Sequence, residues 1–201
     1  MEREGTMRKF MKRNGSFIVA IVCLFAARSS LADHYVVPSS SMESTLMPGD
    51  RVFVDKQAYG LRVPFTSLEV LDRGAPARGD VVIFPSPADG VRLVKRVVAV
   101  AGDVVAVRDG LVFVNGTPVA DNVAATRERY GPREVALELR DGGGPDQAPV
   151  RVPDGHVFAL GDARGNSRDS RYFGFVREDT IYARATSVYF RRGDGFVWRA
   201  L

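Results

Sequence analysis

Short valine-rich runs, each stopped by a glycine- or proline-containing turn, leave this chain little room to be anything but a β protein. Val81-Val82-Ile83-Phe84 is a continuous apolar run of buried-strand length that ends at Pro85. Arg92–Val100 is a longer run of the same kind. Val104–Val107 and Leu111–Val114 flank Arg108-Asp109-Gly110, and Asp-Gly between two apolar runs is a strong hairpin signal. Asn115-Gly116 turns the chain again toward Val119; Asn115-Gly116-Thr117 also fits a glycosylation sequon, which the turn explains more simply. Arg51–Lys56, Val157–Leu160, Thr180–Phe190 and Phe196–Trp198 add further strand-like segments. β-Branched residues are stiff about χ1 and suit a pleated surface, so the expected fold is all-β, of several antiparallel sheets. Residues 120–153 carry more charge and a Gly142-Gly143-Gly144-Pro145 loop, and predict a surface excursion with one helical turn.

The N-terminal region follows another rule. Arg3, Arg8, Lys9, Lys12 and Arg13 precede the unbroken apolar run Phe17–Ala27. One reading is a basic cytoplasmic tail over 1–14, a transmembrane anchor over 15–37 and an extracytoplasmic β-domain over 38–201. A span needs about 20 mostly apolar residues, and this one reaches that length by accommodating Arg28, Ser29, Ser30, Asp33 and His34. The other reading is a leader removed after Ser30-Leu31-Ala32, which would free a soluble periplasmic protein. The basic flank places the N-terminus in the cytoplasm either way.

Composition removes several functions. The formal net charge is +4, yet the basic residues beyond the tail are interspersed with acids, so a nucleic-acid footprint is not expected. The single cysteine, Cys23, lies in the apolar run and allows neither an intrachain disulfide nor a multi-cysteine metal site. The two histidines are His34, at the presumed membrane edge, and His156, in a turn after Asp154-Gly155. Neither has an obvious serine partner, so a Ser-His-Asp triad is not expected, and no metal or cofactor is implied.

A serine nucleophile here would need a different base. Pro38-Ser39-Ser40-Ser41-Met42-Glu43-Ser44-Thr45-Leu46 supplies several hydroxyls without singling one out. A lysine serves as base only when neutral, which means lowering its pKa from about 10.4 by roughly 2–3 units, a change burial can produce. Of Lys9, Lys12, Lys56 and Lys95, only Lys95 sits within apolar sequence, sharing a strand face with Leu93 and Val97 while Arg96 points to the opposite face. A gatekeeper on an edge strand fits the same pattern. Gly161–Gly174, dense in acids, bases and hydroxyls, reads either as a solvated loop or as a shell that orients an amine.

These pieces, in this order, resemble the bacterial type I signal peptidases, membrane-bound Ser-Lys endopeptidases. Pro38–Leu46 is similar to that family's PSGSM-x-PTL segment, and Arg78-Gly79-Asp80-Val81-Val82-Ile83-Phe84 to its RGD-V-V-F strand. Lys95-Arg96-Val97 through Gly102-Asp103 resembles KR-x-V-x-x-x-GD, and Gly161–Gly174 resembles GDNRxNSxDSRYWG. The resemblance implies Ser41 as nucleophile and Lys95 as base, with Ser39 and the backbone N–H of Ser41 forming the oxyanion hole. It further implies Ser167 as the hydroxyl that orients Lys95, Asp169 with Arg171 as a structural ion pair, and Asp162 with Arg164 in the same support shell. Val37, Pro38, Met42, Leu46, Leu93 and Val94 would wall subsites for small residues, so the implied substrates are exported preproteins cut after Ala-x-Ala. The bilayer would be the other partner, the catalytic domain would lie on the periplasmic side of the inner membrane, and the protein would act as a monomer. Phe65, Phe196 and Trp198 fit either core packing or contact with that bilayer.

Four positions depart from the pattern. Ser40 stands for a glycine, Ser44 for a proline, and Ala163 and Gly165 for polar residues. None is a proposed catalytic group, although a membrane-tethered module that only binds extended peptides would show the same outline.

Overall fold

The computed structural model describes residues 14, 15, 17, 32–62, 69–72, 74–120 and 126–201. Most of the expected anchor, with Cys23, and also Phe65, lie outside these residues. The anchor's expected end is corrected. Ala32–Val36 forms a strand, β1, and Val37 is buried, so the sheet begins before residue 37. Among the described residues no helix is long and apolar enough to cross a membrane.

The strands follow the valine runs. After β1 come β2 (Arg51–Asp55), β3 (Gly60–Arg62), β4 (Glu69–Asp72), β5 (Val81–Pro85) and β6 (Arg92–Val100). Next are β7 (Val104–Arg108), β8 (Leu111–Val114), β9 (Thr117–Pro118), β10 (Arg127–Tyr130) and β11 (Arg133–Ala136). The remainder is β12 (Gln147–Arg151), β13 (His156–Leu160), a one-turn helix α1 (Ser170–Phe173), β14 (Val176–Arg177), β15 (Ala183–Arg191) and β16 (Gly195–Ala200). The main sheet runs β1-β2-β15-β5-β6-β13-β14, with β16 also on β15; a second sheet runs β12-β7-β8-β9. β3–β4 and β10–β11 are separate hairpins, and every strand pair is antiparallel. Both dipeptide turns behave as their sequence demands: Asp109 and Gly110 have φ of 50° and 79°, and Asn115 and Gly116 of 52° and 81°, the left-handed pair that closes a two-residue hairpin.

The region 120–153 is not a surface excursion. Its described part forms β10, β11 and β12, with no helical turn, and β12 pairs with β7. Glu128, Tyr130, Val135 and Leu137 are buried in it. The inward face of β10 is made of Glu128 and Tyr130, between exposed Arg127 and Arg129, so a reading by hydropathy finds no alternation there.

Two apolar clusters meet at the main sheet. One joins Val98, Phe158 and Leu160 to the β7–β8 sheet and to Tyr130, Val135 and Leu137. The other gathers Val37, Met42 and Leu46 of the serine-rich loop with Val52, Ile83, Val94 and Val188. The loop after β1 is therefore anchored from below by its own apolar residues while its serines face up.

Candidate active site

Three segments converge at one end of β6: the loop between β1 and β2, the last residues of the unpaired half of β6, and the loop after β13. The pairing of β6 with β13 stops at Arg96 opposite Leu160, so Arg92–Lys95 are paired on one side only, with β5. Beyond Leu160 the chain turns away at Gly161 and approaches the serine-rich loop. A Cβ on Gly161 would lie 2.4 Å from the carbonyl oxygen of Ser41 and 2.3 Å from Ser167 Oγ, so no other residue fits between them. Ala163 N–H donates to that Ser41 carbonyl at 3.1 Å, fixing the backbone of the serine from the other side.

Lys95 and Ser41 meet there. Lys95 Nζ lies 2.5 Å from Ser41 Oγ, and Ser39 Oγ is 3.3 Å from the same hydroxyl. Lys95 is 2% exposed and Ser41 9%. Burial lowers the Lys95 amine to about 8, against the attraction of Asp169 and Asp162, which favours the charged form. Desolvation outweighs both carboxylates because neither forms a hydrogen bond with the amine. The lysine thus becomes neutral above about pH 8, far below an exposed lysine, with its nitrogen on the serine hydroxyl. Of the serines in the loop, Ser41 is the one the geometry selects.

The surrounding charges are arranged in buried pairs. Asp169 accepts from Arg171 Nε and Nη2, both at 2.8 Å, and from Gly161 N–H at 3.1 Å. Arg171 also donates to the carbonyls of Gly143 and Arg164, each at 2.6 Å. Asp162 does not pair with Arg164. It takes both arms of Arg96, at 2.9 and 2.8 Å, while Arg96 donates onward to Gly79 carbonyl and Thr45 Oγ1. Arg164 instead reaches Glu128 of β10, at 2.9 and 2.5 Å, and the carbonyl of Gly110. Glu128 also accepts from Tyr130 OH at 2.6 Å and Val112 N–H at 3.1 Å. Arg96, Glu128 and Tyr130 escaped the sequence reading. Arg96 could have been found from its placement beside Lys95 on the opposite strand face; Glu128 carries no local sign.

Two expectations are corrected by geometry. Ser167 Oγ does not bond Lys95; it is buried beside Gly161 and is the one buried side-chain polar atom without a hydrogen-bond partner among the described residues. Leu46 does not line the substrate groove; it is wholly buried in the core beneath the loop. The groove itself, about 270 Å³, runs from Ser41 and Lys95 along the open edge of β6 and is walled by Val37, Pro38, Met42, Leu93 and Val94.

The substituted positions are accommodated differently. Ser40 keeps a negative φ, and its Oγ accepts from Asn166 Nδ2 at 2.8 Å. Ser44 has φ of 73°, which proline cannot adopt, and its Oγ donates to Ala136 carbonyl at 2.6 Å. Gly165 leaves no room for a side chain, since a Cβ would sit 2.0 Å from Asp141 carbonyl oxygen.

An all-β domain that buries a lysine amine on a serine hydroxyl, with no histidine beside them, belongs to the class of serine hydrolases that use lysine in place of histidine. The family follows. A family model described as signal peptidase, peptidase S26, matches residues 8–190, and the chain belongs to that family. It is 34% identical to signal peptidase I of Pseudomonas fluorescens over 199 residues, covering 87% of this chain and 70% of that protein. It is 32% identical to probable signal peptidase I-2 of Synechocystis, covering 85% of this chain and 68% of the relative. A crystal structure of a signal peptidase I from Enterococcus faecalis is 31% identical and covers 55% of this chain and 97% of that one, with a TM-score of 0.39.

Proposed function

We propose that this chain is a type I signal peptidase, a serine endopeptidase that removes signal peptides from exported preproteins after Ala-x-Ala. The observation that carries the assignment of roles is the 2.5 Å contact between Ser41 Oγ and the buried amine of Lys95. Neutral Lys95 takes the proton of Ser41 as its oxygen adds to the scissile carbonyl. Ser39 Oγ and the Ser41 N–H receive the developing negative charge. Collapse breaks the C–N bond, and the proton on Lys95 passes to the departing amine, the new N-terminus of the mature protein. Water then enters, gives its proton to Lys95 and attacks the acyl ester. Collapse of that second adduct returns the proton from Lys95 to Ser41 and frees the signal peptide as a carboxylic acid, which releases its proton to solvent.

The open edge of Arg92–Lys95 suits an extended substrate that adds to β6, gaining main-chain hydrogen bonds. The apolar walls Val37, Pro38, Met42, Leu93 and Val94 enclose about 270 Å³ and suit apolar side chains such as alanine. Anchoring in the inner membrane, single-pass with the catalytic domain periplasmic, is supported by the basic tail, the apolar run Phe17–Ala27, and the start of the sheet within a few residues of that run. Phe196 and Trp198, 87% and 74% exposed, do not pack in the core and suit the bilayer surface. The support shell of Asp162, Arg164, Asp169 and Arg171 keeps the loop after β13 against the serine-rich loop.

Ser41→Ala and Lys95→Ala, made separately in the full chain and assayed on a model preprotein, should each abolish cleavage. Cleavage that survives either change would defeat the Ser-Lys assignment.

A further inference from the structure

The groove contains one fixed charge that the reaction does not use. Arg92 lies at its far end, three strand positions from Lys95 and so about 10 Å along β6. Its guanidinium stacks over the ring of Tyr182, 4.7 Å from the centroid. Among the described residues no carboxylate lies within ion-pair distance of it. The neighbouring charges are already matched. Asp89, before β6, pairs with Arg168 at 3.5 Å, and Asp33 pairs with Lys56 at 3.1 Å beyond Tyr182. The groove lining itself has no acidic residue. Its mouth therefore carries one uncompensated positive charge, held in place by an aromatic face rather than free to swing away.

We propose that Arg92 is a specificity-determining residue that favours substrates with a carboxylate four or five residues before the cleaved bond and disfavours those with a lysine or arginine there. This rests on the peptidase reading above, since that reading lays the upstream residues of the substrate along β6. A strand advances about 3.3 Å per residue, so a peptide whose scissile carbonyl is at Ser41 brings its fourth and fifth upstream residues level with Arg92. The stacked guanidinium still offers N–H donors in its plane, the geometry that a carboxylate accepts bidentately. Because the mouth is open to solvent, the preference is modest and salt-sensitive: about two- to five-fold per charge, as for exposed ion pairs.

The test is a set of precursor peptides differing only at those upstream positions, with Glu, Gln or Lys, cleaved by the full-length protein in detergent. The expected order of kcat/KM is Glu over Gln over Lys, with the Glu:Lys ratio shrinking toward one in 0.5 M NaCl. Arg92→Glu should invert the ratio and Arg92→Gln should flatten it. The salt arm needs no variant, so a folding defect in either leaves the proposal exposed to refutation. A Glu:Lys ratio that neither salt nor the Arg92 variants change would overturn the role of Arg92 while leaving the peptidase intact. Failure of the wild-type protein to cut the Gln peptide, or equal cutting by Ser41→Ala, would instead overturn the underlying reading.

Discussion

Lys95→Met should inactivate the protein and yet make it harder to unfold at neutral pH. The amine titrates at about 8 in the folded chain against 10.5 in the unfolded one. That difference of about 2.5 units is about 3 kcal/mol at 1.36 kcal/mol per unit. The sign follows from where the proton sits. Below pH 8 both states hold it, and the folded state bears the full cost of a buried ammonium. Between about 8 and 10.5 the unfolded chain binds a proton that the folded chain does not, so stability rises with pH; above 10.5 the cost is gone. Methionine fills a similar volume with no charge, at the loss of one hydrogen bond to Ser41 worth about 1 kcal/mol. The variant should therefore exceed the parent by about 2 kcal/mol at pH 7 and fall slightly below it at pH 10.5. Urea unfolding of both proteins at the two pH values measures this, and groups common to both cancel in the difference. If Lys95→Met is destabilised by the same amount at both pH values, the buried-amine account is wrong.

Further outcomes follow from the same geometry. The kcat/KM for a neutral peptide should climb tenfold per pH unit below about 8 and level off above it, and a profile flat from pH 6 to 10 would contradict a titrating lysine. Glu128→Ala strands the buried Arg164 guanidinium and should cost about 3–5 kcal/mol in denaturant unfolding, although the nearest reacting group is in another segment. Ser44→Pro should lower stability by more than Ser44→Ala, because only the proline forbids a φ of 73°; equal losses would show the backbone to be free to relax. Gly161→Ala should depress kcat without unfolding the protein, as measured by cleavage beside a thermal scan, since its Cβ collides with the backbone of Ser41.

How far the sequence discloses this molecule depends on the range of the interaction. β6 and β8 were legible residue for residue, because the information is local: valine-rich runs bounded by turns that need φ > 0. β10 was not, since the side chains that it buries are Glu128 and Tyr130, and burial of a carboxylate is only affordable with Arg164, 36 positions away. Lys95 stood out by exclusion, being the one lysine within apolar sequence. Ser41 did not, since its neighbours Ser39 and Ser40 looked equivalent until the family pattern and then the 2.5 Å contact distinguished them. The pairing of Asp162 with Arg96 was hidden for the reason that hid Glu128. Arg96 lies 66 residues away and Arg164 only two, and sequence proximity is no guide once strands from distant parts of the chain lie side by side.

The position of β15 sets when activity can begin. The serine-rich loop is held by β1 and β2, and Lys95 by β6 with β5, yet these two groups share a sheet only because β15 pairs with β2 on one side and β5 on the other. Until residues 183–191 have been made and inserted, nothing in the main sheet brings nucleophile and base together. A chain still being synthesised thus carries both reacting groups in an inert form. Truncation ahead of Ala183 should leave a protein with Ser41 and Lys95 intact and no hydrolysis, which makes the last long strand a timer for the first cut.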